Sequence, residues 1–171
     1  IKMATFLLSL IVFLPALAAL MLAICPGTVD EEQQSRRNDL FRISTLVVTI
    51  AVFGLTIFTF FVLPETSFNT SAGEMQNVFN ASWIPSFNID YYMGIDGISF
   101  PLIMLTALIS MLAMAASWSI KKHVKGYCIL FLLLETGMLG VFLSLDFFLF
   151  YVFWEVMLLP MYFLIGIWGG P

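Results

Sequence analysis

Residues 147–160 read FFLFYVFWEVMLLP: thirteen side chains that suit lipid, and one carboxylic acid, Glu155. A charged acid at the centre of a bilayer costs roughly 2.5–3.5 kcal/mol on insertion scales. A second acid, Glu135, stands in the preceding apolar run, GYCILFLLLETGMLGVFLSL. Such acids are rare in lipid and line bundle interiors or water-filled cavities, where they take up and release protons. Counting from a turn at Asp146, Glu135 lies eleven residues back and Glu155 nine residues on. At 1.5 Å per residue, that sets them about 16 Å and about 14 Å from the same surface, near the midplane on neighbouring helices. The rotation of each helix, which decides whether the acids face each other, stays open.

Other features of the last run favour Glu155 as the proton-active acid. Pro160 brings no N–H to the carbonyl of Val156, so a kinked helix with a free acceptor is expected one residue from the carboxylate. Tyr151 and Tyr162, four residues before and seven after, fall on the same helical face and offer a polar path. In the preceding run Gly137, Gly140 and Ser144 form a small-residue stripe that permits close helix approach. Each acid also has a bland reading, as a neutral structural residue hydrogen-bonded to a neighbouring helix.

Helices that span the membrane must position these groups. The chain is 61% hydrophobic and 11% charged, which sets it outside the soluble globular range and inside the membrane class. Crossing about 30 Å of hydrocarbon needs roughly 20 residues. Five runs qualify, near 4–25, 43–63, 98–120, 126–145 and 147–168, and the last two abut closely enough to require an antiparallel helical hairpin. The expected fold is an all-α polytopic bundle in one membrane domain, with residues 64–97 as an interfacial segment. The first run is too long for a signal-peptide core. A chain that starts at Ile1 and stops at Pro171 just after a span reads as part of something larger.

Basic residues set the direction. Arg36, Arg37 and Arg42 follow the first run, and Lys121, Lys122 and Lys125 follow the third, whereas residues 64–97 have neither lysine nor arginine. By the positive-inside rule, loops 26–42 and 121–125 face inside and the N-terminus faces out, with Lys2 the one dissenting charge. The outer segment carries Glu65, Glu74, Asp90 and Asp96 beside Trp83, Tyr91 and Tyr92, as an interfacial stretch with aromatic anchors does. Its Asn69 and Asn80 triplets fit the glycosylation pattern, which is common by chance.

Several chemistries have no residues to carry them. Cys25 and Cys128 are far apart and read as packing residues, His123 in KKHVK reads as a headgroup-facing side chain, and no glycine-rich phosphate loop occurs. No metal, nucleotide or redox cofactor is expected on this chain, and nucleic acid is excluded as a partner.

The stretches YMGIDGISFPLIMLT at 92–106 and LLLETGMLGVFLSLDFFLFYVFWEVMLLPMYFLIGIWGG at 132–170 closely resemble the chain M family of bacterial NADH-quinone oxidoreductase, respiratory complex I, whose mitochondrial member is chain 4. The resemblance is dense over the last 80 or so residues and loose over the first 90. It implies an antiporter-like fold of fourteen transmembrane helices with both termini outside, of which this chain supplies the N-terminal part. It further implies that the fifth-helix glutamate, Glu155, pairs with a lysine on a later helix to gate proton transfer, with Glu135 as an auxiliary acid. NADH, FMN, iron–sulfur clusters and quinone would then sit on partner subunits. The implied partners are other membrane subunits of complex I, neighbouring antiporter-like subunits among them, and lipid. The implied location is a bacterial plasma membrane or an organellar inner membrane. Two other readings stay open at this point: a subunit of a multi-subunit cation/proton antiporter, and a structural membrane scaffold.

Overall fold

The computed structural model describes residues 2–25, 31–63, 67–69 and 73–170, with the side chains of the first two helices described from Phe6 and from Gln34. Glu65, and the Thr70 and Ser71 that complete the Asn69 triplet, lie outside the described residues, as does the side chain of Lys2. Helices α1 (Lys2–Ile24) and α2 (Glu31–Ile57) come first, α2 continuing as a π-helical turn, Phe58–Val62. Strands β1 (Gln76–Ile84) and β2 (Ile89–Ile95) follow, then α3 (Ser99–Ala116), α4 (Val124–Leu143) and α5 (Phe147–Trp168). All five helices are long and apolar enough to cross a membrane.

Helix α2 begins twelve residues before the apolar run at 43, so most of the loop expected over 26–42 is helical from Glu31 onward. The reason is local. EEQQSRR consists largely of good helix formers, and the turn is reinforced by Gln34 Nε2 donating to Asn38 at 3.1 Å and by the Arg42–Asp39 ion pair at 2.7 Å. Arg42 also donates to the Ile120 carbonyl, fastening α2 to the α3–α4 connection. Lys125 reaches the last carbonyls of α1, donating to Ala23 at 3.0 Å and Cys25 at 2.7 Å. A cation there complements the helix C-terminus. Arg36, Arg37, Arg42, Lys121, Lys122 and Lys125 thus lie at one end of the bundle, while Lys2 starts α1 at the other.

The other end carries the segment that composition marks as interfacial, and it is a β-hairpin. Its strands pair antiparallel, Phe79 opposite Met93 and Ala81 opposite Tyr91, around a 3₁₀ turn closed by Asn88 in the left-handed region. The hairpin is tied into the bundle: Leu145 N–H donates to the Tyr92 carbonyl at 2.9 Å, and Ser9 and Tyr91 share a 2.9 Å hydroxyl–phenol bond. Burial raises the Tyr91 phenol above its ordinary pKa, while the Ser9 bond works the other way. Asp96 joins the hairpin to α3. Its Oδ1 accepts the N–H of Ile98 at 3.1 Å and of Ser99 at 2.6 Å, and its own N–H donates to Ser99 Oγ, a reciprocal cap that holds the Asp96 carboxyl below its ordinary pKa.

The core divides into two apolar clusters. One, nearer the hairpin, joins Leu8, Ile11, Val12, Val52, Phe60, Met93, Ile103, Ala107, Leu139 and Leu143 among others. The other, nearer the basic end, joins Ala19, Leu22, Phe41, Met114, Val124, Cys128, Phe131 and Leu132. Cys128 is a buried packing residue, as expected from sequence.

Candidate functional site

Asp146 starts the last hairpin as expected: its side chain accepts the Leu149 N–H at 2.9 Å and caps α5. From there α4 and α5 run antiparallel and touch through the glycines. A methyl group on Gly137 would lie 2.8 Å from the Met157 backbone, and one on Gly140 would enter the Phe153 ring. The small-residue stripe is therefore the contact surface. Ser144, its third member, is taken up differently, donating to the Gly140 carbonyl at 2.6 Å and bridging to Met93 of β2.

That seam fixes the rotation of both helices. Glu135 stands two residues from Gly137, and Glu155 two residues from Met157. At about 100° per residue each acid is swung roughly 200° from the seam. They therefore point to opposite sides. Glu135 turns into the bundle, where it has 0% of its surface exposed. Glu155 turns outward and is exposed. The contact register still keeps them within about one helical turn, ~5.4 Å, of the same level.

Tyr151, one turn earlier, pairs its phenol with the Glu155 carboxylate. Leu158, Leu159 and Tyr162 continue the same uncovered surface, with Tyr162 lying edge-on to Phe163 at 5.4 Å between ring centroids. No hydrogen bond joins Tyr162 to an acid among the described residues. Pro160 is buried, and α5 stays helical through it from Phe147 to Trp168. Only 17% of the α5 span is buried, against 50% of α4. A long apolar helix interrupted by Tyr–Glu–Tyr on its open side is the surface left for another element to cover.

Glu135 is enclosed by its own bundle, and neither carboxyl oxygen has a hydrogen-bond partner among the described residues. Sequence reading passed over the other buried hydroxyls: Thr45, Thr49 and Thr56 on α2, Thr59 in its π-helical continuation, Thr106 and Ser110 on α3, and Thr136 next to Glu135. The α2 threonines recur at helical spacing, which was the available signal. No group of three or more His, Cys, Asp or Glu able to hold a metal occurs among the described residues.

Five apolar helices, an acid held inside the bundle and a second acid on an open face define a polytopic membrane protein. The family described as NADH-ubiquinone oxidoreductase chain 4, amino terminus, matches residues 37–146, and the chain belongs to it. Among its relatives are NADH-quinone oxidoreductase subunit M of Rhodobacter capsulatus, 38% identical over 96% of this chain and 30% of that protein, and NAD(P)H-quinone oxidoreductase chain 4 1 of Synechococcus elongatus, 37% identical over 94% and 28%. The fold is that found in respiratory complex I from Thermus thermophilus (TM-score 0.71, 23% identity, 96% of this chain and 30% of that one). It is shared by the Mrp complex from Dietzia (TM-score 0.69, 22% identity, 99% and 16%). The chain spans less than a third of the length of these curated relatives.

Proposed function

We infer that this chain is part of a proton-translocating membrane subunit of an NADH-quinone oxidoreductase. Glu155 is its proton-active gate, and Tyr151 the adjoining hydroxyl. The carrying observation is the exposure of Glu155, well inside the 22-residue apolar helix α5 and on its open face, beside the Tyr151 phenol. An acid facing lipid is costly, so the face it occupies is an interior surface of a longer protein. A lysine on a later helix, as the family resemblance implies, would sit against it. Approach of that ammonium favours the carboxylate and releases its proton; withdrawal favours reprotonation.

On this reading, electron transfer from NADH to quinone takes place on other subunits, with their FMN and iron–sulfur clusters, and reaches this chain as a conformational change. The neighbours are the other membrane subunits of the complex, together with lipid. The basic end of the bundle, with Arg36, Arg37, Arg42, Lys121, Lys122 and Lys125, lies on the inner side of a bacterial plasma or organellar inner membrane, and the hairpin and the N-terminus lie outside. The test is infrared difference spectroscopy of the full complex during NADH turnover. A carboxyl signal that responds to turnover and is lost in Glu155→Gln supports the gate; turnover with no Glu155-dependent signal refutes it.

A further inference from the structure

The two apolar clusters are separated by a polar layer to which four helices contribute. Passing from one cluster to the other, α4 goes from Leu132 to Leu139 through Glu135 and Thr136, and α3 from Met114 to Ala107 through Ser110. Helix α2 goes from Phe41 to Val52 through Thr45 and Thr49, and α1 from Ala19 to Val12 through Pro15. Among the described residues, Val48 is the one partly buried side chain packed against both clusters.

Most hydroxyls in the layer are satisfied locally. Thr45 donates to the Phe41 carbonyl at 2.8 Å, Thr49 to Leu46 at 2.9 Å and Thr136 to Leu132 at 3.1 Å. Two residues are not. Ser110 Oγ and both Glu135 oxygens are buried without a partner among the described residues, at 2% and 0% residue exposure. Pro15, buried in the same layer, brings no N–H to the Ile11 carbonyl, which adds an acceptor. Left unpaired, each such group carries its full desolvation penalty.

We propose that this layer is a buried water site in which Ser110 positions water against the Glu135 carboxyl group, making Glu135 a proton-exchanging acid separate from the Glu155 face. The two acids differ in enclosure. Glu155 is open to a side chain from another helix, but Glu135 is closed in by α1 to α4, so its partner is small enough to sit inside the bundle. Arg42, one turn from Thr45, directs its guanidinium to Asp39 and the Ile120 carbonyl, so a charge on Glu135 is uncompensated and costs several kcal/mol. The group is therefore a proton-bearing carboxyl. Water making about three hydrogen bonds accepts from it, exchanges hydroxyl bonds with Ser110 and donates to a free carbonyl. Exchange is balanced: the carboxyl O–H proton passes to water, and a water proton takes its place. The inference deepens the auxiliary role that the family resemblance implies for Glu135 and rests on that reading.

The test uses the intact complex at rest, without NADH, in H2O and in D2O. The Glu135 carboxyl C=O band is the one lost in Glu135→Gln. The proposal predicts that this band shifts within minutes of transfer to D2O, that Ser110→Ala moves its frequency, and that Glu155→Gln leaves it in place. A band unchanged in D2O over hours makes Glu135 a dry structural acid. A frequency indifferent to Ser110→Ala removes the positioning role. A band that vanishes on adding sodium makes the occupant a cation. Each of these three results overturns the proposal. Because no turnover is involved, its failure is read separately from failure of the Glu155 gate.

Discussion

Glu135 and Glu155 stand on opposite sides of the α4–α5 seam, one closed inside the bundle and the other on its open face. Cysteine pairs test this geometry in a Cys25→Ala, Cys128→Ala background of the full-length protein. Gly140→Cys with Phe153→Cys forms a disulfide across the seam, whereas cysteines at 135 and 155 do not. Disulfide formation at 135 and 155 would contradict the rotations.

The seam itself tolerates little. A Cβ at Gly140 enters the Phe153 ring, so Gly140→Ala forces a shift that costs about 1–3 kcal/mol, the usual penalty for overpacking. Gly54, with nothing within 4 Å of an added Cβ, is the control. Gly54→Ala is neutral or stabilising by up to about 1 kcal/mol through helix propensity. Thermal unfolding of the purified complex separates the two, and equal effects would refute the close contact.

At the head of α3, Asp96 predicts a pH effect with a definite sign. Its folded carboxyl lies below the ordinary pKa, chiefly through the Ser99 N–H. The cap therefore stabilises above the unfolded value and is lost as pH falls through the depressed folded value. Asp96→Ala costs about 1 kcal/mol near neutral pH, and its penalty shrinks under acid. Hydrogen exchange at the Ile98 and Ser99 amides reports it; a penalty that grew under acid would be the wrong sign.

Tyr91 predicts the opposite limb. Burial raises its phenol pKa, so the stability it contributes is complete below the ordinary value near 10 and fades as pH rises through the raised one. Tyr91→Phe breaks the bond to Ser9 and loosens the hairpin from α1 by about 0.5–1.5 kcal/mol. Faster proteolysis of the hairpin in the variant is the expected result; unchanged cleavage would assign the docking to Leu145 and Tyr92 alone.

The spans were legible because twenty apolar residues in a row have few alternatives, and Asp146 marked the last turn by its capping chemistry. Helix rotation was not legible. In lipid the outer face is as apolar as the core, so α4 and α5 show no contrast between sides, and only Gly137 and Gly140 mark where they meet. The hydroxyls at Thr45, Thr49 and Ser110 carried that signal too, since a polar group in such helices tends to turn inward. The β-hairpin left a weaker signal: in β1 the apolar Phe79, Ala81 and Trp83 alternate with Asn80 and Ser82 over five residues only, and IDYYMGI does not alternate, its burial deepening toward Ile95 instead. Polar residues ahead of position 43 read as a loop, although Glu, Gln and Arg extend α2 beyond the apolar run.

The most direct measurement of the central claim is NADH-driven proton uptake by inverted membrane vesicles carrying the full-length protein with Glu155→Gln, with assembly of the complex and NADH oxidation followed in parallel. With Glu155 as the gate, proton uptake is lost or reduced several-fold in an assembled complex. Normal uptake in that variant would contradict it and leave Glu155 a structural acid on a packed face.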